Sequence, residues 1–133
     1  MTLTNDERDA VVSFRLQKAK DTLIEAEGIT TLCYWNAVEN RLYYACYYIT
    51  SALLIKNNYS AHTHGGIIHL LGLHFIKIGI VSKDAGRLYS KLFELRQTGD
   101  YDDLFNLSEE DIKPLIPLTK NYINELSLLI NES

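Results

Sequence analysis

Apolar residues recur along most of this chain at alternating spacings of three and four, the repeat of an α-helix that buries one face. Ahead of the first stripe, Thr-Asn-Asp-Glu at 4–7 has the spacing of a capping box, and Gly28 follows its last member. The second stripe begins near Thr30 or Thr31 and reaches about Lys56. The stripe members are Val12, Leu16, Ala19, Leu23 and Ala26, then Trp35, Val38, Leu42, Ala45, Ile49, Ala52 and Leu53. Two long helices are predicted.

The next two helices are shorter and contain more glycine. One is predicted to begin just after Gly65, although Gly66 and Gly72 lower its helix propensity. The other opens at Ser-Lys-Asp, residues 82–84, and is predicted to stop at Gly99.

A loop is predicted over residues 100–106, before a last helix that begins at Ser-Glu-Glu-Asp, residues 108–111. Pro114 and Pro117 lie inside its apolar pattern and predict either a kink or a helix start after Pro117. No alternating pattern of strand length is present. The fold class predicted is all-α: one domain over residues 1–133, an antiparallel up-and-down bundle of four to five helices.

Composition narrows the class of protein. The 133 residues are 47% hydrophobic and 23% charged, as in an ordinary globular protein. Thirteen basic and seventeen acidic side chains give a net charge of −4, which argues against duplex DNA as a partner. No signal-peptide pattern and no spanning apolar run is present, so we expect a cytoplasmic protein without membrane contact. Cys33 and Cys46 are expected to be free thiols packed as small hydrophobes.

The second helix carries a dense group of tyrosines at 43, 44, 47 and 48. Successive helical positions lie about 100° apart, so these rings cannot all face one core. Outward-facing rings favour a homodimer, with Tyr44 and Tyr48 as candidate interface residues. Packing at the edge of the bundle, or stacking against RNA bases, are the alternatives.

Four histidines, His62, His64, His69 and His74, lie within thirteen residues. Their gaps of two, five and five spread the rings around a helix, whereas zinc needs ligands that converge from one side. No metal or other cofactor is therefore expected. His64 is the candidate among them, because it stands where exposed amides at a helix start could bind an anion.

The segment Arg-Gln-Thr-Gly-Asp-Tyr, residues 96–101, combines a planar cation with hydrogen-bonding groups. Arg96 could clamp a phosphate with two parallel hydrogen bonds. It could equally form an internal ion pair with Asp100 or Asp102. Arg96, Asp100 and Tyr101 are therefore candidate ligand-binding residues.

Taken together, these segments resemble the HEPN superfamily (higher eukaryotes and prokaryotes nucleotide-binding domain), in its small stand-alone prokaryotic branch. The resemblance implies a helical bundle that commonly dimerises and often pairs with a minimal nucleotidyltransferase in toxin–antitoxin-like systems. The segments are Asn-Arg-Leu-Tyr-Tyr-Ala-Cys-Tyr-Tyr at 40–48 with Ala-Leu-Leu at 52–54, Thr-His-Gly-Gly at 63–66, the run at 96–101, and Ser-Glu-Glu-Asp at 108–111.

Active members of that superfamily are metal-independent ribonucleases with an arginine, four to six residues, a histidine, and often a tyrosine two positions later. Arg96 matches the arginine, but Tyr101 stands at the histidine position and Asp103 at the tyrosine position. A tyrosine, with a pKa near ~10, is a poor base at neutral pH.

Three hypotheses follow from this departure. The first is a non-catalytic or weakly active partner of a nucleotidyltransferase, which binds nucleotide or RNA phosphate at Arg96, Asp100, Tyr101 and His64. The second is a ribonuclease in which His64 replaces the missing histidine. The third is a helical interaction module without a ligand.

Overall fold

The computed structural model describes residues 2–101 and 106–131, and within them it is helical with no β-strand. This confirms the predicted all-α fold. A 3₁₀ turn (Thr30–Leu32) follows the first helix and a π-helical turn (Gly72–Ile76) follows the third. The α-helices are α1 (Asn5–Ile29), α2 (Trp35–Lys56), α3 (His64–Leu71), α4 (Lys83–Tyr101), the single turn α5 (Glu109–Ile112) and α6 (Leu115–Asn131).

Side-chain contacts give the direction of neighbouring helices. Lys18 lies over the ring of Tyr48, and Glu25 pairs with Arg41, so α1 and α2 run antiparallel. In the same way Tyr89 packs on Tyr122 while the backbone and hydroxyl of Ser82 donate to Glu125, so α4 and α6 are antiparallel.

The core forms around α2, which packs against α1, α4 and α6. Its buried residues include Leu42, Tyr43 and Ile49, while Tyr89 of α4 and Tyr122 of α6 are buried against it. Tyr122 satisfies its hydroxyl inside this core by a 2.5 Å hydrogen bond to the Thr50 hydroxyl. The central position of α2 places residues of its N-terminal half next to the end of α4.

Two predicted helix starts are built as their sequences suggest. The Thr4 hydroxyl accepts from the Glu7 amide while the Glu7 carboxylate accepts from the Thr4 amide, the predicted capping box. Ser108 and Asp111 form the same arrangement at α5. These reciprocal bonds satisfy amides that an α-helix leaves without acceptors.

Helix α2 begins later than predicted. The chain closes a 3₁₀ turn after α1, and Cys33 then adopts a left-handed conformation with φ of 60°, which interrupts helical bonding until Trp35. Cys33 is consequently exposed, contrary to the expectation that it packs as a small hydrophobe, whereas Cys46 is buried.

The glycines of the second half are less disruptive than expected. Helix α3 begins at His64, one residue before Gly65, because the Thr63 hydroxyl caps it by accepting from the Gly66 amide. Helix α4 continues through Gly99 to Tyr101, so Asp100 is helical and not part of a loop. The rest of that predicted loop up to residue 105 lies outside the described residues.

Pro114 decides where the last helix begins. The chain makes a turn at Lys113 and Pro114, and α6 starts at Leu115, between the two predicted alternatives. Pro117 is the third residue of α6, where its missing N–H removes no helical hydrogen bond. The interruption separates the short α5, which packs against α2, from α6.

Candidate functional site

Arg96 lies where the last part of α4 packs against the first part of α2. Its guanidinium carbon is 5.2 Å from the ring centroid of Tyr43 and 5.5 Å from that of Tyr44. Its Nη2 donates a 3.1 Å hydrogen bond to the Tyr44 hydroxyl. The side chain remains 23% exposed, so the two rings hold a cation that still reaches solvent.

Asp100 lies one helical turn after Arg96 and is exposed. The distance from its Oδ2 to Arg96 Nη1 is 3.5 Å, so the predicted internal ion pair is present in a loose form. Arg96 Nε is buried and has no hydrogen-bond partner among the described residues. Burial acts to lower the pKa of Arg96, but the Tyr44 hydrogen bond and the Asp100 charge raise it overall. Arg96 therefore stays cationic with hydrogen-bonding capacity to spare.

Glu39 of α2 is the residue of this site that sequence reasoning missed. It is 3% exposed, and its Oε2 has no hydrogen-bond partner among the described residues. Burial raises the pKa of its carboxyl to about 8; the charge of Arg96 opposes the rise and that of Asp100 adds to it. A signal was available, because Glu39 follows Trp35 by four and precedes Leu42 by three, on the apolar stripe.

A small cleft of about 170 Å³ joins these groups between α2 and α4. Leu107, whose amide donates a 2.8 Å hydrogen bond to Asn36 Oδ1, lies along its edge. The polar side chains that line it are Asn36, Glu39, Asn40, Arg96 and Asp100. Cationic, carboxylic and amide groups thus share one concave surface.

His64, the first residue of α3, approaches the same tyrosines from another side. Its Nδ1 lies 2.5 Å from the Tyr43 hydroxyl, and its ring stacks on Tyr47 with centroids 4.6 Å apart. Burial, followed by the charge of Arg96, lowers the pKa of His64, while Asp100 acts in the opposite direction. His64 is therefore neutral at pH 7 and close enough to Arg96 to be affected by its charge.

The other three histidines do not pack with His64. His74 stacks on Tyr59 with centroids 4.2 Å apart, and His62 and His69 are exposed. Within residues 2–101 and 106–131, no group of three or more His, Cys, Asp or Glu side chains is arranged to hold a metal ion. None of the helices described there is long and apolar enough to cross a membrane.

The tyrosines of α2 divide between core and surface. Tyr43 is fully buried, whereas Tyr44, Tyr47 and Tyr48 are half-buried and contact one another ring to ring. Tyr44, a candidate for a dimer interface, is already bonded to Arg96 within its own chain. Tyr48 contacts Lys18 and leaves part of its ring at the surface.

Tyr101 is the last residue of α4, and its side chain lies outside the described part of the structure, as do Asp102 and Asp103. The structure therefore brings together three of the four candidate ligand residues. Arg96 and Asp100 form a loose pair, and His64 reaches Arg96 through the rings of Tyr43 and Tyr44.

A HEPN domain model matches residues 12–129. The chain belongs to the HEPN domain family. The resemblance drawn from the sequence motifs is thereby confirmed, and the match covers the helices that form the cleft.

Individual relatives of this HEPN domain agree with that assignment. The chain is 30% identical over 127 residues to a UPF0332 protein of Thermotoga maritima, which covers 96% of each chain. It is 23% identical over 110 residues to "Putative toxin MJ0142" of Methanocaldococcus jannaschii, covering 83% of this chain and 75% of the relative. A second such protein from that organism, "Putative toxin MJ0605", is 28% identical over 92 residues, 69% of this chain and 68% of the relative.

Proposed function

We propose that this HEPN domain binds the phosphate of a nucleotide or of single-stranded RNA at Arg96, as the partner of a minimal nucleotidyltransferase in a toxin–antitoxin-like pair. The observation that carries the proposal is the set of contacts made by the Arg96 side chain. Its guanidinium lies within 5.5 Å of the centroids of two tyrosine rings, donates a hydrogen bond to the Tyr44 hydroxyl and pairs only loosely with Asp100. A fixed, partly exposed guanidinium is the group that binds phosphate through two parallel hydrogen bonds.

The toxin-like role rests on the family. Relatives that carry the word toxin in their names support it. The nucleotidyltransferase partner follows from the HEPN resemblance, and a nucleotidyltransferase gene beside this one would support it.

Replacing Arg96 by lysine tests the binding site. Lysine keeps the charge but cannot reproduce the planar two-point geometry, so Arg96→Lys should weaken binding of a fluorescent RNA 12-mer by about tenfold or more, ~1.5–3 kcal/mol. Fluorescence anisotropy measures the affinity, and the melting temperature serves as the folding control.

The matched control is Arg87→Lys on the exposed side of α4, where Arg87 pairs with Asp84. This control should leave RNA affinity within about twofold of the parent. If Arg96→Ala lowers only the melting temperature and the parent binds no RNA, Arg96 is an internal strut and the proposal is wrong.

A second candidate function, metal-independent ribonuclease, is favoured by one observation. His64 is neutral, shares Tyr43 and Tyr44 with Arg96, and responds to its charge. A neutral histidine can take the proton of a 2′-hydroxyl while an arginine stabilises the charge that develops on the phosphate.

An assay with unstructured RNA and a chelator separates the two functions. Because no histidine follows Arg96 at the family's spacing, we expect no cleavage by the parent protein. Cleavage that disappears in both Arg96→Ala and His64→Ala, but persists in His69→Ala, would establish the ribonuclease instead. His69 is the control because it is exposed and lies on the same helix.

A further inference from the structure

Another concave surface, the α3–α4 groove, lies between α3, with the π-helical turn that follows it, and the first half of α4. Its volume is about 460 Å³, within the range of roughly 300–1,000 Å³ that is usual for binding sites. It shares no lining residue with the cleft at Arg96. The groove is therefore a separate surface of the molecule.

The wall of the groove on the α3 side is apolar. Ile68 and Leu71 line it one helical turn apart, and Ile76 extends it through the π-helical turn. In that turn the Lys77 amide donates to the Gly72 carbonyl over 2.9 Å, the wide bond of a π-helix, a feature that is frequent at functional sites. Ile68 and Ile76 remain partly exposed, so this wall offers apolar surface to an occupant.

The wall on the α4 side is small and cationic. The residues of α4 that face the groove from one side of the helix lie at spacings of three, one and three. They are Lys83, Gly86, Arg87 and Ser90. A Cβ atom at Gly86 would lie 2.5 Å from Ile76 Cδ1, so the glycine lets the two walls approach closely. One wall of the groove thus carries cations and the other carries apolar side chains.

The charge of the groove is opposite to that of the whole chain. The protein has a net charge of −4, yet the charged side chains among the described residues that line the groove are Lys83 and Arg87. Lys83 forms no ion pair within the described part of the chain. Arg87 pairs with Asp84, but both side chains are largely exposed, so the pair is weak. Carboxylates of an occupant would be attracted to this wall, and ammonium groups repelled.

The segment that contains the π-helical turn also exposes apolar side chains outside the cavity. Three of the eight residues 73–80 are large, apolar and exposed: Leu73, Ile78 and Ile80. A small molecule confined to the cavity would leave these side chains in water, whereas a longer occupant could cover them as well. The exposed side chains therefore favour a protein segment over a small ligand.

We propose that the α3–α4 groove binds an amphipathic helix of a partner protein, with its apolar face on the α3 side and its acidic residues toward Lys83 and Arg87. Helices that bind in grooves use apolar anchors at i, i+3, i+4 and i+7. Ile68 and Ile76 are separated by roughly 12 Å at ~1.5 Å per residue, and anchors from i to i+7 span about the same length.

A synthetic peptide tests the groove. The acidic probe is a fluorescein-labelled, stapled helix of about 16 residues, with leucine at the anchor positions and glutamate at the flanking positions. The basic probe has lysine in place of each glutamate. By fluorescence anisotropy, the parent protein should bind the acidic probe at least about tenfold more tightly, although its net charge of −4 alone would favour the basic one.

Filling the groove should block the acidic probe. Gly72 has right-handed helical angles, φ −61° and ψ −49°, and a Cβ atom there would meet nothing within 4 Å, so Gly72→Leu is accommodated without strain. This variant should bind the acidic probe at least about tenfold more weakly. Gly28→Leu, at an exposed glycine of α1 with the same free space, is the matched control and should bind like the parent.

Removing a charge should remove the choice between probes. Lys83→Glu lies in the first turn of α4, where the helix dipole favours a carboxylate, so the variant should fold. Its preference for the acidic probe should fall to about twofold or less. Lys20→Glu makes the same change at an exposed position of α1 and should keep the preference within about twofold of that of the parent.

Four results would overturn the proposal. No binding of the acidic probe at about 1 mM, or equal binding of both probes, would exclude an acidic helix as the occupant. Binding that a folded Gly72→Leu leaves unchanged would place the probe elsewhere. A dimeric parent that Gly72→Leu converts to monomer in light scattering would make the occupant a second copy of this chain.

Circular dichroism establishes whether Gly72→Leu is folded, and if it is not, the Lys83→Glu measurement decides. RNA affinity at Arg96 is measured separately, so failure of the groove leaves the phosphate site standing. Loss of the phosphate site likewise leaves the groove standing, because the two surfaces share no lining residue.

Discussion

Glu39 and Arg96 show how burial changes the chemistry of single residues. A carboxyl that is 3% exposed holds its proton to about pH 8, even though a guanidinium lies in the same cleft. The neutral form avoids the cost of an ionised carboxylate in a low-dielectric environment. Around neutral pH the charge of Arg96 is consequently not cancelled by Glu39, and remains available to an anion.

The raised pKa of Glu39 predicts a pH-dependent stability. Between the ordinary value of 4.5 and about 8, the folded protein holds a proton that the unfolded chain has released. The free energy of unfolding should therefore fall as pH rises through this window, by up to about 1.4 kcal/mol per pH unit. The contribution is fully present below pH 4.5 and is lost as pH passes about 8.

Urea denaturation across this pH range measures the effect. Glu39→Gln cannot ionise, so its stability should vary less with pH, and its advantage over the parent should grow toward pH 8. Glu94→Gln at an exposed position is the control and should follow the parent. Parallel curves for the parent and Glu39→Gln would show that Glu39 is not the group responsible.

At the scale of secondary-structure elements, the points where helices begin and end place functional residues near the cleft between α2 and α4. The 3₁₀ turn after α1 shifts the start of α2 to Trp35, and Leu107, just before α5, lies along the edge of the cleft. Continuation of α4 to Tyr101 places Asp100 one turn from Arg96. The positions of these helix boundaries depend on capping side chains and on local turns.

The cap of α5 can be tested by Ser108→Ala. Loss of the hydroxyl removes one of the two acceptors of the Asp111 amide, which keeps only the Ser108 carbonyl, and takes away half of the capping box. The free energy of unfolding should fall by about 1 kcal/mol. Denaturation with urea measures it. Ser13→Ala, at an exposed position within α1, should change stability by less than about 0.5 kcal/mol. If the two variants lower the free energy of unfolding equally, the Ser108 cap does not stabilise the protein more than an ordinary exposed serine does.

At the scale of the whole molecule, half-buried tyrosines on α2 leave ring surface that one bundle does not cover. Aromatic residues such as tyrosine are enriched at protein interfaces, and HEPN domains commonly dimerise, so we expect a homodimer. Light scattering should then give about twice the chain mass of 15.2 kDa at micromolar concentration.

Tyr48 is the residue to substitute, because Tyr44 also supports Arg96. Tyr48→Glu should shift the protein toward monomer while its melting temperature changes little. Tyr34→Glu makes the same substitution on an exposed ring immediately before α2 and should leave the mass unchanged. A parent protein that scatters as a monomer would exclude the homodimer.

The sequence by itself determined the helical class, most helix bounds to within a few residues, the capping box at Thr4, the helix start at Ser108 and the family. These features depend on local periodicity, on side chains three residues apart and on the order of motifs, all of which can be read from the amino-acid sequence. Arg96 and Asp100 could be paired in advance for the same reason, since they lie four residues apart on one helix.

Only the tertiary structure decided which distant residues share a site. Glu39, His64 and Arg96 lie on three different helices. Arg96 shares the cleft with Glu39 and the two tyrosine rings with His64, because α2 packs against both α3 and α4. The raised pKa of Glu39 and the lowered pKa of His64 come from burial, which local sequence does not specify. Helix packing depends on the side chains of all the helices at once, and so do the chemical properties that it gives to this cleft.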